Sequence, residues 1–188
     1  MKTAPLVFAA AALLLVPGLR AQPTTGDVAD ADTAPLQLSL TPAIALEPRT
    51  TVIDGLSIGI WSENPQHSFT VGVVNGSTGD SAGFSWALVN YDDSYKGVQW
   101  GIVNYSKQYF IGWQRAWVNV SQGDFYGLQS AIVNVSQQFT GLQVGAVNYA
   151  QNLTGVQLGL VNIAMNNSWF DDFPRQLAPV FPFFNWSF

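Results

Sequence analysis

The chain has 188 residues, no cysteine and a formal net charge of −5, and only 10% of its residues are charged. The missing cysteine excludes thiolate catalysis, thiolate metal sites and a disulfide framework, and the acidic balance leaves no basic footprint for nucleic acid. So little charge is unusual for a soluble surface, where about a quarter of the residues is ordinary.

At the N-terminus, Lys2 precedes the apolar run 4–16, a Pro17-Gly18 break and the small residue Ala21. This layout reads as a secretory signal peptide over 1–21, too short for the roughly 20 apolar residues of a spanning helix. Residues 22–35 (QPTTGDVADADTAP) are small, polar and acidic and read as a disordered leader. A single β domain over 36–188 follows, opening with a strand candidate at 36–41.

Asparagine then recurs at 75, 90, 104, 119, 134, 148 and 162, every 14 or 15 residues. Each asparagine ends a unit such as 97–104 GVQWGIVN, 127–134 GLQSAIVN, 141–148 GLQVGAVN or 155–162 GVQLGLVN, and fainter copies reach back to 55–62. Residues 55–162 are therefore an array of one short element. Period-two alternation and abundant β-branched and aromatic residues make each unit a strand. The alternation separates a bulky face, for example Trp113, Arg115 and Trp117, from a lean face of Gly, Gln, Ala and Val.

Links such as VSQQFT and YAQNLT read as tight hairpin turns, and pairing Ala146 with Val156 keeps bulky against bulky. This predicts an all-β fold, an antiparallel β-meander of about ten short strands closing into a small barrel. The first strand at 36–41 would meet the closing strand at 180–188, and the asparagines would mark alternate rims. The bulky face would meet lipid and the lean face a narrow lumen, with Arg115 snorkelling or stacking on Trp113 and Trp117. The alternative is a parallel β-solenoid with 14–15-residue coils, in which the asparagines stack as a ladder. Ala146 lies beside Val156 in the first arrangement and beside Leu160 in the second.

The repeat, the N-terminal layout and the tail 179–188 (PVFPFFNWSF) together resemble a family of bacterial secreted surface-repeat proteins built on G-[LV]-Q-[ILV]-G-[LI]-[IV]-N units. The alternation of Phe184, Trp186 and Phe188 is similar to the C-terminal assembly signal of bacterial outer-membrane barrels, from which Pro182 departs. The resemblance implies an exported protein of the outer membrane or cell surface and carries no catalytic residues. The expected role is non-enzymatic, structural or interactive, in contact with outer-membrane lipid. The alternative is a soluble secreted solenoid that binds glycans or protein partners.

No catalytic, metal or cofactor-binding residue is assigned. His67, the only histidine, reads as a solvated loop side chain, and the pairs Asp92-Asp93 and Asp171-Asp172 as solvated carboxylates. Sequons at Asn75, Asn104, Asn119, Asn134, Asn152, Asn166 and Asn185 read as by-products of the repeat.

Overall fold

The structure, a computed structural model, describes residues 32–167 and 180–188. The expected signal peptide, most of the leader and the pair Asp171-Asp172 lie outside the described residues. Nine strands are described: β1 (Thr33–Thr41), β2 (Ile44–Ala45), β3 (Val52–Asn64), β4 (His67–Trp86), β5 (Val89–Trp100), β6 (Val103–Arg115), β7 (Val118–Ser130), β8 (Val133–Ala164) and β9 (Val180–Ser187). They form one sheet in the order β2-β1-β3-β4-β5-β6-β7-β8-β9. From β1 through β3 to β8 every pairing is parallel, while β2 and β9 add antiparallel at the two ends.

The fold is a parallel β-solenoid with one repeat per coil, and the antiparallel meander and barrel are overturned. Asn104 lies beside Asn119 and Gln99 beside Gln114, each residue next to its own equivalent. The Ala146 N–H donates to the Ile132 carbonyl one coil back, and the Asn148 side chain donates to Asn162 one coil on. The asparagines form a single ladder and do not alternate between rims. β1 and β9 sit near opposite ends of the sheet, so 36–41 and 180–188 do not close a seam. β1 begins at Thr33 and so takes in the last residues expected in the leader.

The reason is the interior. Hairpins and stacked coils satisfy the same inward–outward alternation, but only stacking sets identical amides one above another, where each can bond its copies. The extra residue of the longer repeats is absorbed without disturbing this. Ser106 lies beside Asp92 and Tyr109 beside Ser94, so the additional residue bulges at the corner around Lys107 and Gln108.

One coil, 97–111, shows the cross-section. A first side runs from Gly97 to Trp100, the chain bends at 101–102, and a second side runs from Val103 to Ser106. A third side, Tyr109–Ile111, follows the Lys107–Gln108 corner. Gln99, Asn104, Ser106 and Phe110 point inward and are buried. The expected sidedness therefore holds along the first side, glutamine in and bulky out, but the bend turns the lean-face valines Val103, Val118 and Val133 outward on the second. Phe110 belongs to a stack running Tyr95, Phe110, Phe125, Phe139, with ring centroids 5.8, 5.1 and 5.1 Å apart.

Both ends are covered. Gln37 of β1 donates to the Glu47 carbonyl and accepts from the Glu47 N–H, both at 3.0 Å. At the other end Asn162 donates to the Phe181 carbonyl of β9 at 3.2 Å. These caps use up interior groups that a further coil would otherwise bind.

Candidate interaction surface

Two amide ladders run through the coils. Asn90, Asn104, Asn119, Asn134 and Asn148 each donate Nδ2 to the Oδ1 of the next asparagine, at 2.8 to 3.0 Å. Gln114, Gln129, Gln143 and Gln157 donate Nε2 to the Oε1 of the preceding glutamine, at 2.7 to 3.1 Å. The two chains of amides point in opposite directions along the axis, so their dipoles oppose while each chain polarises its own members. Asparagines also fasten the bend, since Asn90 donates to the Trp100 carbonyl and Asn134 to that of Val144, both at 3.0 Å. The amides of Asn75, Asn104, Asn119 and Asn134 are thus buried in these networks, out of reach of a glycan-transferring enzyme in the folded chain.

Gln129 donates to Gln114 and accepts from both Ser136 and Gln143. Gln129→Leu leaves those buried partners without their bond, and we expect a loss of about 2–3 kcal/mol. Urea unfolding of the variant measures it, and an unchanged midpoint would show that the ladder contributes nothing.

Amides and hydroxyls fill the interior behind the first and second sides and the aromatic stack fills it behind the third, so many other apolar side chains are outside. The first side carries Phe84, Trp86, Trp100 and Trp113, and the second carries Val103, Val118 and Val133 with Tyr91 and Tyr105. At the bend between them Leu160 and Trp117 are 66% and 63% exposed. Behind these two sides, buried amides under an exposed apolar exterior invert the usual distribution. Much of the charge is segregated as well. Asp80, Asp93, Lys96, Lys107 and Asp124 lie on the third side and its adjoining corner, while Glu63 lies on the second side in the column of Tyr91, paired with Arg49. Among the described residues none after Asp124 is charged. Arg115 is the exception on the first side. Of the two expectations, snorkelling or stacking on Trp113 and Trp117, the second is corrected in its partner: the guanidinium lies 5.7 Å from the Trp100 ring centroid, one coil back.

His67 is exposed and borders a shallow hollow beside the stacked rings of Phe69 and Phe84, 5.1 Å apart. Asp92 corrects the solvated-pair expectation. Strand alternation points it inward, where it is 0% exposed, while Asp93 points outward and binds Lys107 at 3.0 Å. Gln99 Nε2 and Ser106 Oγ both donate to Asp92 Oδ2 at 2.9 Å, and Oδ1 has no hydrogen-bond partner. Burial pushes the Asp92 carboxyl up to about 7, against the pull of those two bonds. The sequence carried the signal, since Asp92 follows its asparagine by two residues as Ser106, Ser121 and Ser136 follow theirs. Among the described residues no three His, Cys, Asp or Glu side chains are grouped as a metal would need. Compared with known proteins, the chain matches no family model, no curated protein and no solved structure.

Proposed function

We propose that the protein is an exported, non-enzymatic module of the bacterial cell envelope that acts by docking through its apolar exterior. The observation that carries this reading is the inverted distribution at two of the three sides: side chains such as Trp117, Ile132 and Leu160 face outward over buried amides. Exposed apolar surface on this scale marks a contact, because water is a poor neighbour for it. The layout of Lys2 and the 4–16 run supports export, and the resemblance of the repeat supports the envelope. Fractionation tests the reading. The protein should sediment with the envelope and stay there in high salt, because an uncharged contact is not screened. Recovery as a monodisperse monomer in the soluble exported fraction would sink it.

The outward indoles of Trp86 and Trp117 favour a second reading, glycan stacking on the first side. Pull-down on insoluble polysaccharide, lost in Trp86→Ala but kept in Ile132→Glu, would select it.

A further inference from the structure

One position recurs from coil to coil with an exposed bulky side chain. Ile60, Leu88, Ile102, Ile132 and Leu160, with Trp117 among them, occupy it at the bend between the first and second sides, and Ala146 is the small member of the row. Two consecutive outward residues meet there, for example Ile102 and Val103, so the bend forms a convex ridge. At the usual strand spacing the ridge runs roughly 38 Å from Leu40 to Leu160. Tyr91 and Tyr105 stand two residues behind it on the second side, and Trp86, Trp100 and Arg115 two residues behind it on the first. The charged third side lies opposite.

Resting on the docking reading above, we propose that this ridge is a keel that enters a lipid monolayer side-on, with the solenoid axis parallel to the membrane. Shape selects lipid over a second copy. Flat sheets pack face to face in one plane, whereas a ridge with apolar faces falling away on both sides leaves one face wet against any flat partner. A fluid acyl layer wraps both. The depth agrees too. Two strand residues set the tyrosines, tryptophans and Arg115 about 6–7 Å behind the crest, and interfacial elements bury their apolar face about 5–10 Å. Trp86, Tyr105 and Arg115, each with an apolar body and a polar tip, then reach the headgroup level, while the Trp100 indole N–H is buried and the Tyr91 hydroxyl is bonded to Glu63. Lys107, Gln122 and Gln137, on the far corner, remain in water.

Because the chain has no native cysteine, depth can be read with single labels on the full chain. The probe is a vesicle of phosphatidylethanolamine and phosphatidylglycerol, with and without brominated acyl chains. We expect the protein to float with the vesicles. The double variant Ile132→Glu/Leu160→Glu, altered only at exposed positions, should partition at least tenfold less while keeping its strand spectrum. A fluorophore at Leu88→Cys should be quenched by the brominated chains, and one at Gln137→Cys should not. Equal quenching at both positions overturns the keel. No flotation, with a solution dimer that the double variant dissolves, overturns lipid as the occupant and leaves docking standing. No flotation and no association of any kind overturns both.

Discussion

Replacing Gly127 with alanine is expected to abolish the folded solenoid. Gly127 starts the first side of its coil at φ +136°, a region closed to ordinary L-residues. A Cβ there would sit 2.0 Å from the Gly112 carbonyl oxygen one coil back. That oxygen belongs to the backbone, so no flexible side chain can yield. Moving it shifts a corner that is itself stacked, since a Cβ on Gly112 would lie 1.9 Å from the Gly97 oxygen. Strain and overlap together should exceed about 5 kcal/mol, comparable with the whole stability of many domains. Far-UV spectra and urea unfolding read the outcome. Thr140→Ala, at an exposed position at the end of the same coil, is the control and should stay within about 0.5 kcal/mol. A Gly127→Ala variant with an unchanged urea midpoint would refute the close-packed corner.

That glycine column was visible in the sequence only as a recurring small residue, and its meaning depended on which coils touch. The strands themselves, and their inward and outward faces along the first side, were legible, because alternation is local and glutamine repeats on one face; the bend that turns Val103 outward was not. The direction of pairing was not. A hairpin placing Ala146 beside Val156 and a coil placing Gly145 over Gly159 obey the same parity, and the difference lies in contacts about 14 residues apart. What decides is the stacking of like on like, from Asn148 to Asn162 and from Gln157 to Gln143. Arg115 shows the same gap on the outside. Its ring partner was sought two residues away, whereas stacking supplies Trp100 from the previous coil. The proposed keel was hidden for a related reason: strict alternation puts Ile102 on the bulky face and Val103 on the lean one, and only the bend turns both outward.

Asp92→Ser is expected to stabilise the protein at pH 8. In the wild type the Asp92 carboxyl titrates at about 7 in the fold, raised by burial from an ordinary 3.8. Between those values the folded chain holds a proton that the unfolded chain has lost. Stability from this group is therefore complete below about pH 4, falls as pH rises, and is gone above about pH 7. Three units correspond to something on the order of 4 kcal/mol. Serine at 92 would present a hydroxyl to Gln99, as Ser106 does to Gln114 at 2.9 Å, and would bury no charge. Part of the gain is offset because serine is smaller than the carboxylate it replaces. The wild type should gain urea resistance on acidification from pH 8 to pH 5, and the variant should gain less by the amount that separates them at pH 8. A variant less stable than wild type at pH 8, or a gap that stays constant with pH, would mean that Asp92 is not the burdened group. Either way the measurement reports on the interior alone, since Asp92 is sealed from the apolar exterior.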